Sequence, residues 1–316
     1  MEKLSDFQEW MIYSIPPGPP LIPMRYYANI HKGSMFFYIL FLMWYFDNYT
    51  TGAYLYLALH GSYGFFWLMK DVTFPDPGFA RKVTIMSFLM PWPIALLPYM
   101  LPGYWMVSSF TQVSNERMLV ALMMYVNGVV LMLLTDAQKY LVLRERKGLI
   151  THCMHGWSRN MNYVGEIMLY ASFGVLCQRT EVWYIYAWMW GVIFTTRMSL
   201  KDHSLSKKAG WDAYSKDTWP LVPKIMNCAK ASFVIYGLFL ALCWVVCSNG
   251  GIEATLRQLS LVWYALCAML GYTDYAAAGT AAVAQAQTMA YAKEGLNSAV
   301  ESLTKQGIEA AIGTLY

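Results

Sequence analysis

The chain has 316 residues, of which 57% are hydrophobic and only 13% are charged, and its net charge is +4. Soluble domains are about one-quarter charged, so this composition excludes an ordinary water-soluble enzyme and a nucleic-acid-binding protein. Trp, Tyr and Met are abundant, which is typical of membrane interfaces and adaptable apolar packing. Because apolar runs occur along most of the chain, we predict an all-α polytopic membrane bundle over residues 1–273.

Eight apolar segments follow in chain order. They cover residues 35–46, 53–69, 83–101, 118–135, 163–177, 182–196, 231–247 and 258–272. A straight membrane-spanning helix needs about 20 residues, so several of these segments are short for a span. The third contains Pro91, Pro93 and Pro98, which predict a kinked or broken helix. We predict about eight transmembrane segments.

The distribution of Lys and Arg agrees with eight spans that leave both termini on one side. In that topology Arg117, Arg179 and Arg257 fall on the opposite side, and 20 of the 23 Lys and Arg residues share the side of the termini. The positive-inside rule then makes the basic side the cytosol or the mitochondrial matrix. The sequence therefore predicts an integral protein of the endoplasmic reticulum or of the mitochondrial inner membrane, in contact with membrane lipids.

The C-terminal tail, residues 274–316, is too polar to span a membrane. It carries one apolar stripe at helical spacing, formed by Ala286, Met289, Ala292, Leu296, Ala299 and Leu303. An isolated Ala-rich helix with internal glycines is marginal in water, so an ordered tail needs something to pack against. We predict an amphipathic helical tail on the basic side that docks on a protein partner or on this chain's own loops.

The six cysteines contain no CxxC pair, and most lie in or beside apolar runs, which predicts buried free thiols rather than disulfides. His152 and His155 have no further ligands at a recognised spacing, so we predict no metal site. In the second apolar segment, His60, Tyr63 and Trp67 share one helix face by their spacing.

Two polar segments, 135–166 and 197–225, flank a helical hairpin with a short turn, so they reach the same membrane face. The hairpin itself covers residues 163–196. The two segments supply cations, acids, an amide and aromatic rings, namely Lys139, Arg144, Arg159, Arg197, Lys201, Asp136, Glu166, Asp202, Asn162, Tyr163, Trp211 and Tyr214. Arg and Lys pair with phosphates, acids and amides hold ribose hydroxyls, and aromatic faces stack on rings. The pattern therefore predicts a pocket for a phosphorylated aromatic cofactor.

The order and spacing of these residues resemble the C-terminal signature of the steroid 5-alpha-reductase and sterol reductase superfamily, which also includes isoprenylcysteine and phospholipid methyltransferases. The motifs that carry the resemblance are Asp136-Ala-Gln138-Lys139, Ser158-Arg159-Asn-Met-Asn162-Tyr163-Val-Gly165-Glu166, Arg197-Met-Ser-Leu-Lys201-Asp202-His203, Lys208-Ala-Gly210-Trp211-Asp-Ala-Tyr214 and Pro223. They cover residues 135–225, under a third of the chain. The family's His-Pro stands here as Asn160-Met161, and its Arg-Asp-Glu run as Lys201-Asp202-His203.

The resemblance implies a helical membrane bundle that holds NADPH, or S-adenosylmethionine in the methyltransferase branch. The residues implied as cofactor contacts are Asp136, Gln138, Lys139, Arg144, Arg159, Asn162, Tyr163, Glu166, Arg197, Asp202, Trp211 and Tyr214. Related reductases carry a proton-donating Tyr in their N-terminal helices, which suggests Tyr63 or His60 as the acid. The Asp202-His203 pair differs from the Glu-Glu pair of the methyltransferases and argues against that branch.

Two hypotheses follow. The first is an NADPH-dependent membrane reductase of a carbon–carbon double bond in a lipid substrate such as a sterol, steroid or enoyl chain. The second is a non-catalytic subunit of a membrane complex, such as a respiratory complex of the mitochondrial inner membrane, that keeps the fold but has lost NADPH. The altered His-Pro and Arg-Asp-Glu positions favour the second, as does the predicted docking tail. A methyltransferase that binds S-adenosylmethionine is the third reading.

Overall fold

The computed structural model describes residues 6, 7, 10, 13, 15, 16, 18–248, 251–270, 281 and 284. Most of this part of the chain is helical, which confirms the predicted all-α class. Two short strands, Ile22–Pro23 (β1) and Lys82–Val83 (β2), also form an antiparallel pair in which Ile22 lies opposite Val83. The pair ties the segment before the first long helix to the loop that follows the second.

The first two long helices, α1 (Arg25–Tyr45) and α2 (Thr51–Thr73), pack side by side. Asn48 in the loop between them is fully buried, and its Nδ2 donates to the Val107 carbonyl at 2.5 Å. Thr50 caps α2 by accepting a hydrogen bond from the Ala53 amide, as short hydroxyl side chains do at helix N-termini. The loop is therefore held by side-chain hydrogen bonds at both of its ends.

The proline-rich segment is a helical stretch of irregular backbone. It consists of α3 (Ile85–Leu89), a π-helical turn (Trp92–Leu96), a 3-10 turn (Pro98–Met100) and α4 (Leu101–Ser108). Proline lacks an amide hydrogen and disrupts the regular helical ladder, which accounts for the change of helix type. The predicted break in the third apolar segment is confirmed.

The longest helix, α5 (Asn115–Glu145), packs along α7 (Met161–Cys177) in the most extensive helix contact of the described chain. Glycines make the close approach possible, because a Cβ atom on Gly128 would lie 2.7 Å from the Gly165 carbonyl oxygen. A Cβ atom on Gly165 would in turn lie 2.5 Å from the Gly128 oxygen. The crossing therefore has backbone against backbone at its centre.

The remaining elements of this region are short or mixed. They are a 3-10 turn at Pro77–Ala80, α6 (Met154–Trp157), α8 (Thr180–Trp188), a π-helical turn at Met189–Phe194, α9 (Thr195–Leu205), α10 (Trp211–Asp217) and a 3-10 turn at Ile225–Asn227. Helix α7 ends at Gln178 in the left-handed conformation, and α8 begins two residues later, so the short predicted hairpin turn is confirmed. The Arg159 amide donates to the Trp219 carbonyl at 3.1 Å, which confirms that the two polar segments meet.

Aromatic residues fill the centre of the bundle. Tyr56, Tyr63, Tyr170, Phe173 and Tyr186 are all less than 2% exposed. They come from three separate helices, and their rings contact one another edge to face or in tilted pairs. Such pairs stabilise a core beyond the burial of their area.

The chain divides after Ala229 into two compact units, Met1–Ala229 and Lys230–Tyr316. Two helices, α11 (Ala229–Ser248) and α12 (Ile252–Met269), follow the last turn of the first unit. The stripe of the tail, from Ala286 to Leu303, lies outside the described residues, and so does the predicted domain boundary at residue 273. Both stay predictions.

Within the described chain, three helical stretches are long and apolar enough to cross a membrane, and they are Ile85–Ser108, Asn115–Glu145 and Ala229–Val246. Each of the eight predicted segments falls mainly within a helix. Helices α1 and α2 have 21 and 23 residues, which is a sufficient length, but their Tyr, Gly, Ser, His and Lys residues lower their mean hydropathy. The structure supports a membrane protein and leaves the count of eight spans as a prediction.

The cysteines differ in part from the prediction that all are buried. Cys177 and Cys267 are buried, whereas Cys153, Cys228 and Cys243 are exposed. All five carry free thiols. Cys153 and Cys228 lie just before α6 and α11 rather than inside a helix, and Cys243 lies on α11, where many of the described apolar side chains are exposed.

Candidate functional site

The first unit encloses a cavity of about 320 Å³ between α1, α2, α5, α7, α9 and the two π-helical turns. Pockets for small molecules begin at about 300 Å³ and combine apolar walls with a few polar groups. Ionisable side chains line one part of this cavity, namely Lys32, Lys70, Asp76, Asp136, Lys139, Glu166, Arg197 and Lys201. Five formal cations thus face three carboxylates, so the cavity suits a ligand with negative charge.

Five long helical stretches contribute these charges to a common centre. Lys32 lies on α1, Lys70 on α2, Asp136 and Lys139 on α5, Glu166 on α7, and Arg197 and Lys201 on α9. In a membrane helix the cost of exposing a charge to lipid directs ionisable side chains to the bundle interior or to a polar cavity. This cost explains why charged residues from several helices lie together in one cavity.

Four of these charged side chains form two ion pairs. Lys70 pairs with Asp136, and Lys139 lies 2.7 Å from a carboxylate oxygen of Asp76. Burial acts to raise the pKa of Asp76, but Lys139 and a hydrogen bond from the Gly78 amide together bring it below its ordinary value. These four side chains thus balance one another and hold α2, the loop after it and α5 together.

Arg197 and Glu166 line the cavity without such partners. Neither side chain makes a hydrogen bond or an ion pair with any residue that the structure describes. The Asn162 Oδ1 atom, one turn before Glu166, is buried and also lacks a hydrogen-bond partner among them. The two charged side chains are half-buried and so remain accessible to a ligand, and the buried Asn162 oxygen leaves an acceptor free for a ligand donor.

Lys201 and His155 form the wall on the side of the polar segments. The Lys201 Nζ donates to the Arg159 carbonyl at 2.7 Å and to the Asn160 Oδ1 at 3.0 Å. Burial, with Lys139 nearby, lowers the pKa of Lys201 to about 8. Burial, followed by Lys201 and Lys139, lowers the pKa of His155 to about 4, so this imidazole is neutral at pH 7. Its Nε2 has no partner among the described residues.

Both π-helical turns contribute apolar residues to the cavity lining. The first contributes Ile94, Ala95 and Leu96, preceded by Met90 and Pro91, and the second contributes Met189, Ile193 and Phe194. Tyr163 lines the cavity with its ring centroid 4.6 Å from that of Phe194. π-helical turns are rare and are often found at functional sites. Charged and apolar side chains thus both line the cavity.

Four of the predicted cofactor contacts lie outside the cavity lining. Arg159 donates through Nε to both carboxylate oxygens of Asp202, at 3.1 and 3.0 Å, and through Nη1 to the Thr218 carbonyl. Trp211 lies beneath the Arg159 guanidinium, 5.4 Å from ring centroid to Cζ. The Tyr214 hydroxyl donates to the His155 carbonyl at 2.8 Å. These four side chains join the two polar segments to each other.

Gln138 and Arg144 are two further predicted cofactor contacts that lie outside the lining of the main cavity. Gln138 donates to the His152 carbonyl at 2.8 Å and accepts from the Met154 amide at 3.0 Å, so it anchors the start of α6. Arg144 lines a neighbouring cavity of about 190 Å³, which shares Lys70 and Lys139 with the first. Neither residue lines the main cavity.

Tyr63 and His60 are both buried behind the cavity. Tyr63 accepts a hydrogen bond from the cavity residue Lys32 at 3.0 Å. His60 lies 3.2 Å from the Tyr56 hydroxyl and stacks on Phe173 with ring centroids 4.3 Å apart. The predicted common face of these residues is confirmed by their burial, and of the two only Tyr63 touches a residue of the cavity lining.

The structure therefore brings together Asp136, Lys139, Asn162, Tyr163, Glu166 and Arg197 from the predicted set. Lys32 and Asp76 are cavity residues that the motif analysis did not single out. The signal for Lys32 was present, since a lysine ahead of a long apolar run is costly in a membrane unless it serves a site. For Asp76 the sequence shows an acid in a Pro-rich loop, which does not distinguish a site from a surface turn.

The donor set fits the phosphates and hydroxyls of a dinucleotide. Arg197, Lys139 and Lys201 offer positive charge, and Asn162 and Glu166 offer acceptors, while Tyr163 offers a ring face. Comparison with models of known protein families finds no match, and comparison with curated proteins finds none either.

Proposed function

We propose that this chain is an integral membrane reductase that uses NADPH to reduce a carbon–carbon double bond in a lipid. The observation that supports the proposal most is Arg197, a guanidinium without an ion pair in the described chain, on the wall of a cavity lined by both cationic and apolar side chains. A guanidinium binds phosphate oxygens with paired hydrogen bonds, and no carboxylate of the described chain lies within ion-pair distance of this one.

The proposed binding mode assigns the charged side chains of the cavity to the cofactor. Arg197 and Lys201 would hold phosphate, Glu166 and Asn162 would accept from ribose hydroxyls, and the Tyr163 ring would cover a flat ring face. A reduced nicotinamide supplies hydride when it is bound. The paired side chains of Lys139 and Asp76 line the same cavity.

The apolar side chains of the cavity suit the lipid part of a substrate. Ile94 and Ile193 come from the two π-helical turns, and the stretch Ile85–Ser108 is among those able to cross a membrane. Under the proposal the eight apolar segments all span, with the basic loops on the cytosolic or matrix side of the endoplasmic reticulum or the mitochondrial inner membrane. A substrate of the sterol, steroid or enoyl class would then reach the cavity from the bilayer.

Titration of the detergent-purified protein with NADPH, followed by nucleotide fluorescence, tests the proposal. We expect saturable binding that Arg197→Gln weakens about tenfold or more, as the loss of a charge-assisted hydrogen bond does. Arg146→Gln is the matched control, because Arg146 is exposed at the end of α5. The proposal fails if the protein binds no NADPH at millimolar concentration, or if the Arg197→Gln variant binds it like the wild type. S-adenosylmethionine as a second ligand tests the methyltransferase reading.

A second candidate is a non-catalytic subunit of a membrane complex. It is favoured by the signature residues Arg159, Asp202 and Tyr214, whose side chains are engaged in contacts that hold the polar segments together. A chain that kept the fold alone would retain those contacts. Affinity purification in mild detergent separates the candidates, since a stoichiometric assembly without bound nucleotide favours the subunit. Removal of residues 280–316 should then release the chain from its partners.

A further inference from the structure

Lys32 is a buried cation of the cavity lining. It lies on α1, is 8% exposed, and forms no ion pair with a residue of the described chain. It nevertheless lines the cavity, so its ammonium group faces both the protein interior and the space that a ligand would fill. A lysine in this position is costly to bury and needs partners that satisfy its three N–H groups.

Two tyrosines from different helices satisfy two of those groups. The Lys32 Nζ donates to the Tyr63 hydroxyl on α2 at 3.0 Å and to the Tyr170 hydroxyl on α7. The Tyr170 hydroxyl in turn lies 3.5 Å from that of Tyr63, at the limit of a hydrogen bond. Both tyrosines are fully buried, so their rings cannot move away without opening the core. The ammonium is therefore held in a fixed position by two anchors.

Aromatic rings surround the same ammonium. The Nζ atom lies 4.5 Å from the Tyr63 centroid, 4.7 Å from that of Tyr170, 5.3 Å from that of Trp67 and 5.6 Å from that of Tyr99. Each distance falls within the range of a cation–π contact. Four aromatic rings and two hydroxyls thus surround the cation, and the Glu166 carboxylate in the same cavity lining adds a favourable charge interaction.

We propose that Lys32 presents its third N–H to the cavity as the donor that binds a carbonyl or oxyanion oxygen of the ligand, with Tyr63 and Tyr170 as positioning residues. This inference rests on the proposed function, because it takes the cavity to be the ligand site. Under this inference Lys32 contacts the ligand in place of Tyr63, and Tyr63 lies behind Lys32. A donor fixed before the ligand arrives, in a site that excludes water, stabilises negative charge on oxygen without reorganisation.

The probe for this test is 4-nitrophenol, a small phenol whose ionised form is yellow and whose neutral form is colourless. No cofactor is added, so the absorbance reports binding and ionisation alone. We expect the wild-type protein to bind the probe as phenolate at a pH where the free probe is mostly neutral. Lys32→Met should weaken this binding about tenfold or more and remove the yellow band of the bound probe. Lys82→Met is the matched control, because Lys82 is exposed on β2.

Tyr170→Phe provides a second test that keeps the lysine. It removes one anchor, and we expect it to reduce the phenolate fraction of the bound probe while the Arg197-dependent affinity for NADPH stays the same. A structural role alone would not change the ionisation of the probe. The inference is overturned if wild-type protein binds no phenolate, or if both Lys32→Met and Tyr170→Phe retain the wild-type band. Loss of NADPH binding with the probe band intact would instead contradict the proposed cofactor.

Discussion

Arg159 and Asp202 bind each other through three short contacts, two from Nε at 3.1 and 3.0 Å and one from Nη2 at 3.0 Å. The pair joins a residue two positions before α7 to the last turn of α9. It also fixes the Arg159 carbonyl, which accepts from Lys201 at 2.7 Å. The arginine of the signature therefore acts as a structural link that positions a cavity lysine.

Replacement of Arg159 should mainly reduce stability. Arg159→Leu removes the pair with Asp202 and the bond to the Thr218 carbonyl, and we expect a loss of about 2–4 kcal/mol in the free energy of unfolding. Thermal unfolding in mild detergent measures the change. The control is Arg179→Leu, whose exposed pair with Glu181 at 3.8 Å should contribute about 1 kcal/mol or less. Equal melting temperatures for the two variants would contradict the structural role.

The crossing of α5 and α7 should not tolerate a larger residue at its centre. In Gly165→Ala the new methyl group meets backbone atoms of α5, beginning with the Gly128 oxygen 2.5 Å away. Forced overpacking of this kind costs about 1–3 kcal/mol. Gly191→Ala is the control, because its Cβ would meet no atom within 4 Å and alanine favours a helix. The melting temperature should fall in the first variant and stay or rise in the second.

Lys70 and Asp136 should be coupled in stability. Both side chains are 10% exposed, so Asp136→Asn or Lys70→Met alone leaves a charge buried without its partner. Breaking such a pair costs about 3–5 kcal/mol, whereas removing both charges is often nearly neutral. We therefore expect the double variant to be more stable than either single variant. Additive losses in a double-mutant cycle, measured by thermal unfolding, would show that the two side chains do not interact.

Affinity for NADPH should depend on the charge of Lys201. Its pKa, lowered by burial and by Lys139 from 10.5 to about 8, means that the ammonium loses its proton as the pH rises through about 8. Binding should weaken over that range. Lys201→Arg keeps the charge and should flatten the profile, which titrations between pH 7 and about 9 would measure. A profile that is the same in both proteins would exclude Lys201 as the titrating group.

Stability should show the opposite trend for the same residue. Between about pH 8 and 10.5 the unfolded chain holds a proton on Lys201 that the folded chain releases. The unfolded state binds more protons there, so this lysine makes the folded protein more stable as the pH rises. Lys201→Met should remove this contribution. The melting temperature of the wild type should therefore rise relative to that of the variant between about pH 8 and 10.5.

The sequence by itself determined the helical class, the broken proline segment and the meeting of the two polar segments. These features depend on local chemistry, since apolar composition, proline geometry and a two-residue hairpin turn act over short stretches of chain. The same reasoning found six cavity residues, among them Arg197 and Glu166. Each is an ionisable or polar group near the end of an apolar segment, and such a position can be recognised from the sequence alone.

Tertiary structure alone decided which of the charged side chains face the cavity. Arg159 and Arg197 are both arginines of the signature motifs, yet Arg159 pairs with Asp202 and Arg197 lines the cavity without an ion pair in the described chain. Lys32, more than a hundred residues from the signature, joins the site because α1 packs beside α2 and its side chain reaches Tyr170 on α7. The rotation of one helix against another sets these contacts, and it depends on close-packed residues such as Gly128 and Gly165 that helical periodicity does not specify.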